Sequence, residues 1–482
     1  MNRSRFAKIL IVAMVFAAIG LTPLTALGDE QSVDTLVTYM KSPLVPVRRD
    51  AAHKLGERRV KDQAAVQALA EAAQHDEDEG VRADSIHALG RIKDFSALDA
   101  MLGGLKDSDP AVRRAAIKAL VMLYTEHDID FITNRRTGWN LLNPLLDTDD
   151  HEVIGRYVMV EPAIIAGLGE AASSDRVRDN RISAIRALGV LHGAEAIPQL
   201  GDALTSDREV RIDVIRTFIK IGEPEAGRFL IPFFRDSDQK VRTQAMFAAG
   251  MLKYHPAAEP LLSIYGLGSD KKGPIGIVTQ KIKGRFEYLP PRDEAALWAL
   301  SLIGDPQAEQ IFVENLDDKD GDRRQYAVEG LARIREPRYK DQISRMLLTE
   351  HNGDAKLAEH WALYKMGDHG ELQQVIRKLD SLQAEQATQY ALEVNSPSDL
   401  YPYVDASNKT IRLAAIGILG RVGDQESIGV LKPVLAASGQ ATADAATEAI
   451  KTIEWRLWGK ASAEDSSQTG QGGTRPRRVS SP

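Results

Sequence analysis

The chain has 482 residues, more than one ordinary hydrophobic core can hold, so its length predicts several domains or a repeat array. Hydrophobic residues make up 43% of the chain but aromatic residues only 6%, and a net charge of −7 gives no reason to expect a nucleic-acid partner. There is no cysteine, which excludes disulfides, thiolate chemistry and cysteine-ligated zinc.

Residues 1–28 have the three parts of a secretory signal peptide. A positive stretch (3–8) precedes the apolar run 9–21, and small residues lead to a cleavage point after Gly28. We therefore expect an exported protein, periplasmic or secreted, and the lack of cysteine is more typical of a bacterial periplasm. The alternative is an uncleaved N-terminal membrane anchor, which Pro23 disfavours.

From residue 29 onward, an apolar helical pattern recurs with a nearly fixed period. The dipeptide Val210-Arg211 returns 31 positions later as Val241-Arg242. Within 81–92 the apolar positions fall on one helical face. A fixed period of this length predicts a stacked array of helix pairs.

An acid or amide precedes the arginine of many copies by four residues. The pairs are Asp78 with Arg82, Asp109 with Arg113, Asp207 with Arg211, Asp238 with Arg242, Asp320 with Arg324 and, as a variant, Asn408 with Arg412. The first residue lies where a helix N-cap belongs, and the arginine can pair with it or reach the acid of the neighbouring repeat. The pattern therefore predicts a structural ladder along the seam between repeats.

The motif V-R-x-x-A-I-x-A-L-G-x-I after a D-x-D turn resembles HEAT repeats, especially the short type named after phycobilisome-lyase proteins, over roughly residues 31–458. The resemblance implies an all-α, right-handed α-solenoid of about 12 helix pairs that binds a protein or peptide on a concave surface lined by the second helices. We divide the chain into N-terminal repeats 29–265, an insertion 266–291, C-terminal repeats 292–458 and a disordered tail 459–482.

Three stretches depart from the period. Two of them, between Val112 and Ile182 and at 368–405, are interpreted as a lengthened and a shortened degenerate repeat. The third, 266–291, is rich in glycine and β-branched residues, which predicts a hairpin-like excursion from one rim. Its basic residues are Lys271, Lys272, Lys281, Lys283 and Arg285. The excursion either binds a partner or packs as a decoration on the next repeat, and the sequence favours neither.

Candidate catalytic and metal sites are weak. Asp318, Asp320, Asp322 and Glu329 imitate part of a calcium loop, but Arg323 stands where that loop requires glycine, so the turn of the repeat is favoured. We find no nucleophile elbow, phosphate loop, dinucleotide fingerprint or zinc-binding histidine pair. The expectation is a chain without enzymatic activity, metal or cofactor.

One position of each second helix, two residues before the leucine of A-L-G, is expected to project away from the apolar stripe. We call this set the column: His53, His87, Lys118, Arg186, Arg216, Phe247, Trp298, Glu329, Trp361, Gly417 and Glu448. The candidate partner-binding residues are Arg186, Arg216, Phe247, Trp298 and Trp361 from the column, with the five basic residues of the insertion. The alternative is ordinary surface variation, with the rings partly buried against the next helix.

The resulting hypothesis is a non-enzymatic scaffold or adaptor that captures a protein or peptide partner on the concave face in the periplasm. Two alternatives stay open. The resemblance to phycobilisome-lyase proteins suggests a lyase-like or enzyme-accessory role, which export argues against. An uncleaved N-terminal segment would instead indicate a membrane-tethered assembly factor, and only then would a membrane be a partner.

Overall fold

A computed structural model describes residues 31–125, 128–131, 153–268, 280–282, 285–287, 289–437 and 439–459. In these ranges the chain forms twelve consecutive helix pairs that stack into an α-solenoid, as the sequence predicts. Searched over the same ranges, no helix is long and apolar enough to cross a membrane. The proposed signal segment and residues 460–482 of the tail lie outside the described residues.

The second helices of the pairs, called the inner helices below, begin close to where the repeat predicts. They are α2 (Val45–Glu57), α4 (Glu79–Ile92), α6 (Pro110–Met122), α8 (Arg178–Val190), α10 (Arg211–Ile221), α11 (Gln239–Met251), α13 (Arg292–Ile303), α15 (Gly321–Ile334), α17 (Gly353–Lys365), α19 (Ala384–Ala391), α20 (Lys409–Val422) and α23 (Gln440–Glu454). Each packs on the next, which forms one continuous layer.

The first helices form the outer layer, and most are shorter than their inner partners. They are α1 (Val33–Tyr39), α3 (Gln63–His75), α5 (Leu98–Gly104), α7 (Pro162–Ser174), α9 (Ile197–Ser206), α12 (Ala258–Gly266), α14 (Glu309–Asn315), α16 (Lys340–Thr349), α18 (Leu372–Arg377) and α21 (Gln425–Leu431) with α22 (Val434–Ala437). In two pairs, 3-10 segments at Pro224–Phe229 with Ile231–Arg235 and at Pro397–Tyr403 replace the outer helix. The hydrophobic core runs between the layers from end to end.

Most of the predicted helix caps form. Side-chain caps are present at Asp78, Asp109, Asp238, Asp320 and Asn408. The prediction is wrong for Asp207, because α10 begins one turn later, after Val210, which makes no side-chain cap. Asp207 instead lies 2.8 Å from the Nε atom of Arg181 in the preceding repeat. It is a partner in the arginine ladder and not a cap.

The predicted ladder is present, and six arginines reach an acid of the following repeat. Arg113 places Nε 2.7 Å from Asp175, while its Nη1 donates to the carbonyl of Asp107, six residues back. The pairs are Arg48–Asp76, Arg82–Asp107, Arg113–Asp175, Arg181–Asp207, Arg211–Asp236 and Arg324–Glu350. These side chains are between 2% and 21% exposed, so desolvation offsets much of the attraction between the charges, and the pairs act mainly by fixing the register between repeats.

The glycine of A-L-G allows inner helices to touch through their backbones. A Cβ atom added to Gly56 would lie 2.8 Å from the Cα of Ala88, and one added to Gly90 would lie 2.6 Å from the Cα of Ala119. Any larger side chain would push the next inner helix away. The glycine of the motif is therefore required for the close packing of neighbouring inner helices.

The insertion contains the extended pair that its composition predicts. β1 (Gln280–Ile282) pairs antiparallel with β2 (Arg285–Glu287). Side chains next to the insertion hold its base: Arg292 Nη2 donates to the carbonyl of Gly268 at 3.1 Å, and Gln239 Nε2 donates to the carbonyl of Pro290 at 3.2 Å. The hairpin therefore leaves from a fixed point between α12 and α13.

Most of the break between α6 and α7, 126–127 and 132–152, lies outside the described residues, so the lengthened repeat stays a prediction there. Its described parts, 128–131 and 153–161, are not helical. They run along the inner helices, where the amide of Ile154 donates to the carbonyl of Val190 at 3.1 Å. The break at 368–405 does form a shortened pair, α18 with α19.

Candidate protein-interaction surface

The inner helices line a tightly curved surface. Lys253 at the end of α11 lies 3.2 Å from the carboxylate of Glu393, which follows α19. Lys365 at the end of α17 donates to the carbonyl of Glu393 at 2.7 Å. Three inner helices lie between α11 and α19 in the chain, so their ends meet only because the solenoid curves toward that side. The inner layer is therefore the concave one.

Positively charged side chains donate hydrogen bonds to backbone carbonyl groups near the carboxyl ends of several inner helices. Arg333 Nη1 donates to the carbonyl of Ser301 at 2.8 Å, and Arg456 Nη1 donates to the carbonyl of Arg421 at 2.7 Å. Positive charge is favourable there because the last turn of a helix carries partial negative charge. Burial and the neighbouring Arg335 lower the pKa of Lys365 to about 8.

The basic part of the column contacts this chain's own residues 128–131. His87 Nε2 lies 3.1 Å from Asp128 Oδ2. The hydrogen bond with His87 lowers the pKa of Asp128, helped by the charges of Lys118 and Arg91. A hydrogen bond from His87 and the positive charges of Lys118 and Arg91 thus stabilise one carboxylate.

Arg186 was expected to be available to a partner, and the structure corrects this. Its side chain is buried, it lies 2.6 Å from Asp213, and it donates a hydrogen bond to the carbonyl of Phe131. A guanidinium held from two sides in this way positions the segment 128–131 on α8. Arg216 keeps a partly exposed side chain.

The aromatic part of the column is a stack and not a row of exposed anchors. Trp361 is fully buried and stacks on Tyr390 with ring centroids 4.5 Å apart. Phe247 is 8% exposed and packs on Trp298, which stacks in turn on Tyr326. Trp298 is half-buried and is the one ring of the three candidates that offers surface to a partner.

Of the two acidic column residues, Glu329 lies in the core and Glu448 lies on the surface. Glu329 is buried, accepts a hydrogen bond from Tyr390 at 2.6 Å and pairs with Arg333. It therefore points away from Asp318 and Asp320, and the calcium-like spacing is that of the repeat turn. Glu448 is exposed and accepts a hydrogen bond from Tyr157 at 2.7 Å.

Residues 153–161 cross the inner surface next to the last helix. With the ends of α8 and α10 they bound a cavity of about 210 Å³. Trp455 and His192 both line it. Burial, and then the charge of Arg156, lower the pKa of His192 to about 4, so this imidazole is neutral at pH 7.

Most of the predicted basic residues of the insertion lie outside the described residues. Lys271, Lys272 and Lys283 lie outside the described residues, and only the backbone of Lys281 and Arg285 is described. Their role in binding stays a prediction.

The described residues offer no metal site, since no group of three or more His, Asp or Glu could hold an ion there. Sequence reasoning missed Asp128 and Tyr157, which contact the column from a non-helical stretch. The acidic, apolar run D-I-D-F that follows α6 was the available signal, because it complements the basic column residues of the same repeats.

Comparisons with known proteins agree with this architecture. A family model for HEAT repeats matches residues 13–90, 75–138 and 165–265, and one for the PBS lyase HEAT-like repeat matches 294–318. The phycocyanobilin lyase subunit alpha of Nostoc sp. (strain PCC 7120) is 27% identical over 287 residues, which span 57% of this chain and 90% of that protein.

Two solved structures resemble the chain loosely. The complex of CpcE and CpcF of phycocyanin lyase from Nostoc sp. PCC7120 covers 64% of this chain and 96% of that one, with 18% identity and a TM-score of 0.28. The match to Kap121p bound to Nup53p covers 97% of this chain and 55% of the Kap121p chain, with 13% identity and a TM-score of 0.38. The assignment therefore rests on the family models and the twelve helix pairs: the chain is a HEAT-repeat protein.

Proposed function

We propose that this HEAT solenoid is a non-enzymatic scaffold that binds a protein or peptide partner on its inner surface. One observation carries the proposal: the inner surface already holds a non-helical stretch of polypeptide, residues 128–131, through side chains of α4 and α8. A curved surface built from stacked repeats offers many contacts along one partner, so affinity accumulates without a deep pocket.

The proposed mechanism is multi-contact capture by the exposed part of the column. His53 and Gly417 lie exposed near its two ends, and Trp298 provides a half-buried ring between them. The ion-pair ladder holds the inner helices in register, so these contacts are presented in a fixed order along the surface.

We further propose that the chain is exported and cleaved after Gly28, in which case the partner is periplasmic or secreted. The support is the sequence of the first 28 residues. Mass spectrometry of the mature N-terminus tests this proposal. A mature chain that begins at Asp29 supports it, whereas a retained segment 1–28 favours the membrane-tethered assembly factor.

Two glycines provide a matched test of the binding surface. Gly417 on inner helix α20 and Gly429 on outer helix α21 are both exposed, and a Cβ atom added to either meets no atom within 4 Å. The full chain and the Gly417→Trp and Gly429→Trp variants are used to capture partners from extracts of the source cells. We expect Gly417→Trp alone to lose the captured protein. Equal capture by both variants would show that the inner surface is not the binding site.

A second candidate function follows from the similarity to phycocyanobilin lyase subunit alpha over 90% of that protein. We propose as the alternative that this chain is a subunit or accessory of a lyase-like enzyme. Absorbance spectra of the purified chain after incubation with phycocyanobilin test it. Stable bound pigment supports this alternative, and a colourless chain after gel filtration counts against it.

A further inference from the structure

Residues 128–131 contact the inner surface as a bound peptide would. The stretch is not helical, and it alternates charged with apolar side chains: Asp128, Ile129, Asp130 and Phe131. Phe131 is fully buried, and Ile129 packs against the core. Asp128 remains 44% exposed and is held by His87. An apolar anchor beside a charged rim is the usual arrangement of a peptide-recognition site.

The surface under this stretch is electrostatically suited to an acid. The charges of Lys118 and Arg91 add to the hydrogen bond between His87 and Asp128. Arg186 donates to the backbone carbonyl of Phe131, a contact that any peptide in the same position could make. The first contact recognises a side chain, whereas the second requires only an extended backbone.

We propose that the protein partner of the inner surface binds through a short, non-helical acidic segment with an aromatic residue three positions after an acid. Residues 128–131 then occupy this site within the same chain and compete with the partner. This inference rests on the proposed scaffold function and names the partner's chemistry. The intramolecular segment has the advantage of a high effective concentration, on the order of millimolar for a short tether, so the partner must bind more tightly than an isolated copy of it.

The test uses a labelled peptide, Gly-Ser-Asp-Ile-Asp-Phe-Gly-Ser, and the full chain. In the variant Phe131→Ala the internal segment loses its buried anchor and vacates the site. We expect this variant to bind the peptide at least about tenfold more tightly than the unmodified chain, by fluorescence anisotropy. A control peptide with both acids replaced by asparagine should bind at least about threefold more weakly, because it loses its attraction to the basic column.

Folding of the variant is checked by circular dichroism and thermal unfolding. If Phe131→Ala does not fold, Asp128→Ala serves instead, because that side chain is partly exposed and its loss leaves Phe131 in place. It should raise peptide affinity by about twofold to fivefold, and a further His87→Ala change should cancel the gain. Equal affinity of the vacated and unmodified chains, or equal binding of the acidic and asparagine peptides, would overturn the inference.

These outcomes are separable from failure of the scaffold function. If Gly417→Trp abolishes capture but the vacated chain does not bind the acidic peptide, the scaffold stands and the proposed partner chemistry is wrong. If capture survives Gly417→Trp, the scaffold function itself fails.

Discussion

The hydroxyl of Tyr157 donates a hydrogen bond to the carboxylate of Glu448 over 2.7 Å, although 291 residues separate the two along the chain. Lys451, one turn further along α23, lies 5.7 Å from the centre of the Tyr157 ring. Burial, and then the neighbouring Glu448, raise the pKa of Tyr157 to about 12. The stretch before α7 and the final helix are thus joined across the inner surface.

Removing this contact should loosen both of its ends. Tyr157→Phe keeps the ring over Lys451 and deletes the hydrogen bond, which should lower the free energy of unfolding by about 0.5–1 kcal/mol, since the carboxylate is exposed. Hydrogen exchange measured by mass spectrometry should become faster in 153–161 and in α23.

Tyr254→Phe is the matched control, because the described residues offer its hydroxyl no hydrogen-bond partner and its ring packs on Gly227. It should leave exchange in both segments unchanged. Unaltered exchange in the Tyr157→Phe chain would mean that the contact does not join the two regions.

Removing the arginine of a largely buried ladder pair should lower the free energy of unfolding strongly. Arg113→Ala leaves Asp175, whose side chain is 2% exposed, without its cation. The carboxylate keeps bonds from the amide of Val177 and the side chain of Asn180, so we expect a loss near the low end for broken buried pairs, about 3 kcal/mol. Urea denaturation measures this loss in the free energy of unfolding.

Arg49→Ala gives the comparison at an exposed pair. Arg49 and Asp84 are 52% and 31% exposed, so the loss should not exceed about 1 kcal/mol. Similar losses of stability for Arg113→Ala and Arg49→Ala would contradict the view that the less exposed ladder pairs matter most.

The repeat register could be predicted from the sequence because each copy carries the same local signals. The Asp78 and Asp109 caps follow from helix-start chemistry within a single repeat. Asp207 could not be assigned in this way, because its partner Arg181 belongs to the preceding repeat. Local patterns indicate where an acid lies but not which of two neighbours it satisfies.

The column residues lie on the inner helices, but their exposure was not predictable. Trp361 is buried because the shortened pair brings Tyr390 onto its face, and that pair has no recognisable repeat motif. Arg186 is covered by Phe131 from a stretch outside the repeats. Both depend on segments whose sequence carries no period, and the curvature that joins Lys253 to Glu393 is a property of the whole stack.

A buried acid makes stability depend on pH. Glu359 in α17 is fully buried, and neither carboxylate oxygen has a hydrogen-bond partner among the described residues. Burial, with a contribution from Glu350, raises its pKa to about 8. The folded state therefore keeps a proton that the unfolded chain loses above its ordinary pKa, and folding stability falls as pH rises from about 4.5 to about 8.

Glu359→Gln should remove this dependence. The unmodified chain should lose stability relative to the variant between pH 5 and pH 8.5, by at most about 1.4 kcal/mol per pH unit, measured by urea denaturation. Glu314→Gln, an exposed position, should follow the unmodified chain. Parallel pH profiles for Glu359→Gln and the unmodified chain would refute a buried, protonated Glu359.

The insertion should be dispensable for folding. Arg292 and Gln239 hold its base, so replacing 269–288 with a short Gly-Ser linker should change the free energy of unfolding by less than about 1 kcal/mol. Capture of the partner by the shortened chain then decides between a binding loop and a rim decoration. A large loss of stability would show instead that the hairpin packs on the solenoid.

The central claim is that the inner surface is the binding surface, and site-specific photocrosslinking tests it most directly. A benzophenone amino acid is placed at Gly417 or His53 on inner helices and at Gly429 or Gly103 on outer helices, all in the full chain. We expect one partner adduct of constant mass from both inner positions and none from the outer ones. Adducts that form only from Gly429 or Gly103 would contradict the account.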